Sequence, residues 1–212
     1  MQSNSNQQIN LGDTGQLPRM MIVGVTGSGK STLLRHILKL YNDMGIYYVL
    51  YDSQHQHDDL AKSDMELDIL KANPNANFIY QPEDVDNIDE FEKICKYVWT
   101  RKNAIFAVEN LDFYATPQKS QPQTFKKIIH LGRQNSNIGV IMTTRRIADV
   151  HKSPCSQVSH WFIFRTFLPN DVKYLKEFVG DTALEAMTLE PYHFIYWTFG
   201  QVQVCKPLEI ET

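Results

Sequence analysis

The sequence has few cysteines, and these form no recognisable pair or cluster. The three cysteines of the 212 residues are Cys95, Cys155 and Cys205, and none lies in a C-x-x-C pair. A disulfide framework and a cysteine-based zinc site are therefore not indicated, and a reducing compartment fits. No stretch approaches the roughly 18 apolar residues that a membrane-spanning helix needs. We therefore expect a protein of the cytoplasm that is not an integral membrane protein.

An excess of positive charge is also missing. The formal net charge is -3, with 21% charged and 42% hydrophobic residues, which is typical of an ordinary globular domain. A nucleic acid partner would have to be contacted by a local basic patch or by several subunits together. Residues 1–18 are rich in Gln, Asn, Ser and Gly, and we predict a flexible polar N-terminus there. A single domain is predicted over 19–212.

From Met20 onward, apolar runs alternate with amphipathic segments. Strands are predicted over 20–25, 46–52, 77–80, 104–109, 138–144 and 160–165, and a hairpin over 193–205 with its turn near Gly200. Helices are predicted over 30–43 and 88–101, around Phe125 and Leu131, and from Asn170 or Asp171 to Gly180. This alternation is typical of an α/β fold with a mainly parallel central sheet covered by helices on both faces. The C-terminal β-hairpin would extend that sheet.

Residues 24–32, G-V-T-G-S-G-K-S-T, satisfy the phosphate-binding pattern G-x-x-x-x-G-K-[ST], between a predicted buried strand and an amphipathic helix. Glycines let successive backbone N–H groups point inward, and the helix adds the positive end of its dipole. Lys30 is predicted to reach the β- and γ-phosphates, Ser31 to ligate Mg²⁺ and Thr32 to face the α-phosphate. The loop thus predicts a P-loop NTPase that binds ATP with Mg²⁺. Its predicted nucleotide-binding residues are Thr26, Gly27, Ser28, Gly29, Lys30, Ser31 and Thr32.

Nucleotide hydrolysis also needs a carboxylate at the end of a buried strand. The apolar run 105–108 ends in Glu109, at the sheet edge where the P-loop is expected. Glu109 is predicted as a metal ligand in place of the usual Asp, or as the water-activating carboxylate with Val108 at the Asp position. Asp112 is a second candidate. Asp52, at the end of the second strand, is predicted either to contact metal-bound water or to cap a loop.

Other distinctive residues are interpreted as structural. His55 and His57 alternate in a polar segment with Asp58 and Asp59, and we interpret them as solvated and assign no metal to them. The aromatic residues Trp161, Phe162 and Phe164 are interpreted as core residues of a strand.

Four segments occur in an informative order: the P-loop at 24–32, the strand ending in Asp52, the strand ending in Glu109 and the segment 130–150. In this order they resemble the FtsK/HerA superfamily of DNA-pumping ATPases. Among its members, short chains of this kind resemble the genome-packaging ATPases of double-stranded DNA viruses with an internal membrane. The resemblance implies a motor that packages a viral genome into a preformed capsid, as a ring, usually a hexamer, around double-stranded DNA. It also implies a capsid or viral membrane protein as a partner, in the host cytoplasm or on the virion.

The resemblance further implies an arginine that a neighbouring subunit supplies to the nucleotide. Arg133 in L-G-R-Q matches the arginine before the family's next strand and is predicted to act in trans. Arg145 stands where the family has a γ-phosphate-sensing Gln, so it is a second candidate for the arginine that acts in trans. For each of these, and for Arg146, an ordinary salt bridge is the alternative. The predicted catalytic residues are therefore Lys30, Glu109, Arg133 and Arg145.

The loop 113–123 has two interpretations. In a ring it faces the pore, with Lys119, Lys126 and Lys127 as contacts to DNA phosphates. Alternatively, it is a flexible surface loop.

Two other functions fit the same phosphate-binding loop. A small P-loop kinase would need an acceptor pocket and a lid, and residues 113–123 are short for a lid. A nucleotide-dependent switch or assembly factor with little turnover is favoured by the irregular order Val108-Glu109-Asn110. A GTPase is not indicated, because the sequence has no Asn-Lys-x-Asp element to read guanine.

Overall fold

The computed structural model describes residues 15–57, 75–118 and 120–209. In this part of the chain one sheet contains strands β1 (Arg19–Val23), β2 (Tyr47–Tyr51), β3 (Phe78–Tyr80), β4 (Ala104–Val108), β5 (Ile138–Thr144), β6 (His160–Phe164), β7 (Phe194–Thr198) and β8 (Gln201–Cys205). Their order is β3-β2-β4-β5-β1-β6-β7-β8. The pairs among β1 to β6 are parallel, whereas β6–β7 and β7–β8 are antiparallel. The mainly parallel sheet and the C-terminal hairpin are therefore confirmed.

Helices connect the strands. The α-helices are α1 (Lys30–Asp43), α2 (Ile88–Trp99), α3 (Gln123–Lys127), α4 (Arg133–Ser136), α5 (Lys152–Cys155), α6 (Pro169–Val179) and α7 (Thr182–Glu185). Short 3₁₀ helices span Leu111–Phe113 and Ile147–Asp149, and a π-helical turn, Ile128–Gly132, joins α3 to α4. Within the described ranges, no helix is both long and apolar enough to cross a bilayer.

Side chains alternate along each strand, so the sheet carries one hydrophobic core on each face. On one face, Leu34 and Ile37 of α1 pack with Ile22 of β1. On the other, Phe91 of α2 packs with Phe106 of β4, their ring centroids 6.2 Å apart. The prediction of helices on both faces is confirmed. Trp161, Phe162 and Phe164 are buried in these cores, as interpreted from the sequence.

Helix α6 begins earlier than predicted. It starts at Pro169, with Leu168 as the N-cap, rather than at Asn170 or Asp171. Proline is favourable in the first turn because the N–H that it lacks would have no partner within the helix. Asp171 is buried and accepts hydrogen bonds from the backbone N–H of Ala148 at 2.9 Å and from Arg146 Nε at 3.0 Å. Its carboxylate therefore ties α6 to the segment after β5.

The residues just before β1 pack against the sheet. Leu17 is buried, and its N–H donates a hydrogen bond to Oδ1 of Asn137 at 2.8 Å. The carbonyl of Pro18 accepts a hydrogen bond from the N–H of Val140 at 2.9 Å. These two residues therefore belong to the packed part of the chain. Residues 1–14 lie outside the described ranges, and the flexible N-terminus and the single domain over 19–212 stay predictions.

Candidate nucleotide-binding site

The P-loop leaves the carboxyl end of β1 and leads into α1. Gly24 has no room for a side chain, because a Cβ there would lie 2.6 Å from Cβ of Phe164. Gly29 is the N-cap of α1 and has a φ of 106°, which residues with side chains rarely adopt. As a glycine it offers no side chain to the first N–H groups of the helix, so these donors stay open toward the loop. This is the arrangement that binds phosphate at a helix N-terminus.

Lys30 folds back over the loop. Its Nζ donates a hydrogen bond to the carbonyl of Val25 at 2.9 Å, and the residue is only 8% exposed. Burial, and next the charge of Arg145, lower the pKa of Lys30 to about 8, although the nearby carboxylates Asp112 and Glu109 act in the opposite direction. A bound polyphosphate would favour the protonated amine, because its negative charge lies against it.

Glu109 follows β4 and lies beside the P-loop. Its Oε1 accepts a hydrogen bond from Oγ of Ser31 at 3.0 Å and lies 3.2 Å from Nε2 of His57. The residue is buried, and its Oε2 has no hydrogen-bond partner within the described ranges. Val108 packs in the core on the other face of the sheet. The position before Glu109, where an Asp usually stands, therefore holds a buried apolar side chain. The structure thus brings Glu109 to the P-loop, while its catalytic role stays a prediction.

Asp52 caps the turn after β2. Its carboxylate accepts hydrogen bonds from the backbone N–H groups of Gln56 and His57, both at 3.1 Å, and from Nε2 of Gln81 at 2.8 Å. Burial alone would raise the pKa of the Asp52 carboxyl, but these hydrogen bonds together lower it below its ordinary value. Of the two roles considered for Asp52, the loop cap is the one that its contacts show.

The capped turn delivers two further side chains to the site. His57 is fully buried, so its interpretation as a solvated residue was wrong. His55 is exposed, with Nε2 2.9 Å from the carbonyl oxygen of Pro82, and residues 58 and 59 lie outside the described ranges. Oε1 of Gln56 lies 3.1 Å from the Ser31 hydroxyl. Sequence reasoning missed His57 and Gln56 as neighbours of the P-loop. A signal for them existed, because β2 adjoins β4 and both strands end at the P-loop edge of the sheet.

Oxygen atoms converge on Ser31. Oε1 of Glu109 and Oε1 of Gln56 both lie within hydrogen-bond distance of its hydroxyl, which can donate to only one of them at a time. Mg²⁺ prefers oxygen ligands and retains several waters, so this group fits Mg²⁺ beside a bound triphosphate. Ligand atoms of Asp52, His57 and Glu109 also lie within 4.8 Å of one another, but three N–H donors already engage Asp52.

Arg145 lies at the P-loop of its own chain. It lines a cavity of about 380 Å³ together with Lys30 and Glu109, and its guanidinium is 5.5 Å from the ring centroid of Phe113. Arg146, the next residue, turns away and forms an ion pair with Asp171. The salt-bridge alternative thus holds for Arg146, whereas Arg145 is placed to meet a bound nucleotide.

Arg133 lies at the opposite edge of the sheet. It begins α4, directly before β5, whereas the P-loop lies beyond the carboxyl ends of the strands. The seven residues of β5, at about 3.3 Å each, separate the two edges by roughly 20 Å. Arg133 lies near Arg19 and His160, since its charge adds to the larger effect of burial in lowering the pKa of both. The structure therefore does not bring Arg133 to its own P-loop, and sequence reasoning missed Arg19 as its neighbour.

Two of the predicted DNA-contacting lysines, Lys126 and Lys127, are the last two residues of α3. Lys126 and Lys127 are exposed, and residue 119 lies outside the described ranges. The preceding loop is not entirely a surface loop, because Tyr114 and Ala115 are buried. Whether these lysines contact DNA stays a prediction.

By sequence, the chain matches no protein-family model and no curated protein. By structure, it matches the genome packaging NTPase of Sulfolobus turreted icosahedral virus 2 in complex with AMP. That match has a TM-score of 0.80 and 17% identity, over 91% of this chain and 98% of that one.

Two proteins from other systems have the same architecture. VirB4 of Thermoanaerobacter pseudethanolicus matches with a TM-score of 0.70 and 8% identity, over 91% of this chain and 90% of that one. The pCW3 conjugation coupling protein TcpA matches with a TM-score of 0.64 and 16% identity, over 91% of this chain and 60% of that one. The chain therefore has the P-loop NTPase fold of these proteins, and its resemblance to the FtsK/HerA superfamily is confirmed at the level of the fold.

Proposed function

We propose that the chain is an ATP-hydrolysing motor that translocates double-stranded DNA and packages a viral genome into a preformed capsid. The observation that carries the proposal is the meeting of the P-loop with Glu109 and Arg145 in one cavity. The fold likeness supports the finer assignment, because the chain covers 98% of the viral packaging NTPase.

The chemistry follows from where each group lies. The N–H groups of the P-loop and Lys30 bind the β- and γ-phosphates of ATP. Ser31 and Glu109 would hold Mg²⁺, which neutralises charge on those phosphates when bound. The free Oε2 of Glu109 is available to orient the attacking water and accept its proton. Arg145, in the same cavity, senses the γ-phosphate within its own chain.

Arg133 is proposed to act on the nucleotide of a neighbouring copy. The Nε atoms of Arg133 and Arg19 are buried and have no hydrogen-bond partner within the described ranges. Among the described residues no carboxylate forms an ion pair with either arginine. Two guanidinium groups close together are unfavourable in that situation, and an anion would stabilise them. Phosphate groups at the P-loop of the next subunit are such an anion. This supports a ring, for which the family resemblance suggests six subunits.

The remaining partners are proposed from the same resemblance. With a net charge of -3, binding of duplex DNA relies on local cations repeated around the ring. The exposed Lys126 and Lys127 are candidates, as is Lys119. A capsid or viral membrane protein would anchor the ring, in the host cytoplasm or on the virion.

One observation favours an alternative function. Because Val108 faces the apolar core, β4 ends in a single carboxylate, Glu109. A nucleotide-dependent switch needs less catalytic machinery than a motor and would tolerate that arrangement. Turnover coupled to movement on DNA separates the two functions.

Displacement of a third DNA strand tests the motor directly. A short strand is annealed as a triplex at one end of a linear duplex, and the fluorescence of the released strand is followed. Wild-type protein with Mg²⁺ and ATP should release it, whereas Glu109→Gln protein, or wild type with a non-hydrolysable analogue, should not. ATP hydrolysis without release would contradict the motor and leave a kinase or an unproductive ATPase. ATP binding without hydrolysis would favour the switch.

A further inference from the structure

The turn before β7 lies at the P-loop edge of the sheet. Strand β7 runs antiparallel to β6, and Phe194 at its start pairs with Phe164 at the end of β6. Strand β6 adjoins β1, from which the P-loop emerges. Tyr192 therefore lines the same cavity as Gly29 and Thr32. A Cβ placed on Gly29 would lie 3.6 Å from Cδ1 of Tyr192, which puts the ring beside the start of α1.

Tyr192 has an unfavourable backbone conformation. The N–H of His193 donates a hydrogen bond to the carbonyl of Glu190 at 3.2 Å, closing a turn with Pro191 second and Tyr192 third. Tyr192 has a φ of 63°. A positive φ at the third position is what a type II turn requires, and glycine or asparagine usually supplies it. Backbone strain of this kind is concentrated at functional sites, where the surrounding structure holds the residue in its unfavourable conformation.

The ring of Tyr192 does not contribute to the core. Tyr192 is 59% exposed, although its ring lies at the mouth of a cavity. A ligand bound in the cavity would cover the exposed apolar surface of this ring. Phe199, at the tip of the β7–β8 hairpin, also has a positive φ (44°) and is 80% exposed, but it does not line the cavity. Phe199 is thus a matched control for Tyr192.

The order of the strands indicates which part of a nucleotide reaches Tyr192. Glu109 and Arg145, at the γ-phosphate end of the cavity, follow β4 and β5 on one side of the P-loop strand β1. Tyr192 precedes β7, on the other side of β1. A nucleotide with its γ-phosphate toward Glu109 therefore extends its base away from β4 and toward Tyr192.

We propose that Tyr192 forms the nucleobase subsite, with its phenol ring stacked on the base of the bound nucleotide. This inference rests on the proposed binding of ATP and adds the residue that holds the base. Stacking engages the π-face of a base, which every base has, so it increases affinity without selecting one base. The subsite therefore accepts nucleoside triphosphates whatever their base.

Calorimetric titration of the full-length chain with MgATP and with inorganic tripolyphosphate tests the subsite. Tyr192→Ala should weaken the binding of MgATP about tenfold, within the range expected for loss of one base–aromatic stack. Tripolyphosphate has no base, so its affinity should not change. Tyr192→Trp should bind MgATP as wild type does, and Phe199→Ala should leave both affinities unchanged.

A second variant separates binding from folding. Tyr192→Gly removes the ring and relaxes the positive φ, so its Tm should rise while its affinity for MgATP falls as in Tyr192→Ala. Equal MgATP affinity of wild type and Tyr192→Ala would overturn the subsite. Equal loss of MgATP and tripolyphosphate binding in Tyr192→Ala would also overturn it, since the ring would then serve the phosphates. Wild type that binds neither ligand would overturn the proposed nucleotide binding, and the subsite with it.

Discussion

The hydroxyl of Ser31 donates a hydrogen bond to Oε1 of Glu109 at 3.0 Å, joining the P-loop to the end of β4 across 78 residues of sequence. The contact exists because β4, β5 and β1 are consecutive in the sheet and all end at the same edge. Anything bound at Ser31 therefore lies within reach of the Glu109 carboxylate. This pairing of a phosphate-binding element with a buried carboxylate is the basis of the proposed ATPase.

Glu109→Gln should retain MgATP binding and lose hydrolysis. The amide keeps the size and an oxygen at Ser31 but cannot accept a proton, so we expect turnover to fall by about 10²–10⁴-fold. Steady-state phosphate release and nucleotide titration measure the two effects. Asp112→Asn is the comparison, because Asp112 accepts a hydrogen bond from Thr144 nearby and was the second candidate. Loss of turnover in Asp112→Asn but not in Glu109→Gln would assign the role to Asp112.

Lys30→Met should abolish nucleotide binding without destabilising the fold. The variant loses the charged contacts to two phosphates, so we expect the MgATP affinity to fall by at least about 100-fold. Burial disfavours the protonated amine in the free chain, as the lowered pKa of about 8 shows, so Tm should not fall. Lys39→Met, on the exposed face of α1, should change neither quantity. Turnover retained in Lys30→Met would contradict the P-loop assignment.

Arg133→Ala should lose turnover while its affinity for MgATP stays near that of wild type. Because Arg133 lies at the edge opposite its own P-loop, its removal should impair only the nucleotide site of a neighbouring subunit. Mixing Arg133→Ala with Glu109→Gln should partly restore activity, because some interfaces then contain both native residues. A mixture of Lys30→Met and Glu109→Gln, both altered at the P-loop site of the chain itself, serves as the control without rescue. No restoration at any ratio of the first mixture would contradict action in trans.

His160 should make the fold less stable as the solution becomes acidic. Burial, and next the charge of Arg133, lower the pKa of His160 in the folded chain from its ordinary 6.5. The unfolded chain therefore takes up a proton first, and the free energy of unfolding decreases as pH falls from 6.5 toward the folded pKa. Urea unfolding above and below this window measures the decrease.

His160→Gln provides the control for this pH dependence. This variant should lose the part of the decrease in unfolding free energy that lies between pH 6.5 and the folded pKa of His160. Arg133→Ala should make that part smaller. Nδ1 of His160 lies 2.7 Å from the Tyr196 hydroxyl, so the glutamine side chain keeps a polar group there. An unchanged pH profile in His160→Gln would show that other groups cause the decrease.

The parts of the site that the sequence predicts are local or belong to regular strands. The P-loop is contiguous, and its conformation depends on glycines such as Gly29 whose backbone requirements can be read directly. Glu109 could be placed because parallel strands end at a common edge. The mainly parallel sheet followed from the alternation of apolar runs with amphipathic helices.

The parts that were missed depend on tertiary packing. His57 looks solvated in its polar segment, and only the three hydrogen bonds to Asp52 and the approach of β4 bury it. Tyr192 is 160 residues beyond the P-loop, and its position follows from the antiparallel pairing of β7 with β6. The first strand was predicted to begin at Met20, so the sequence assigned no role to Arg19. Its proximity to Arg133 depends on how α4 meets the amino edge of the sheet.

Steady-state ATP hydrolysis with Mg²⁺, with and without long double-stranded DNA and across a range of protein concentrations, tests the central claim most directly. A motor whose sites are completed between subunits should be stimulated by DNA, and its specific activity should rise steeply with protein concentration. Turnover that is indifferent to DNA and proportional to protein would contradict the motor. The fold shared with the packaging NTPase would then reflect common architecture without common function.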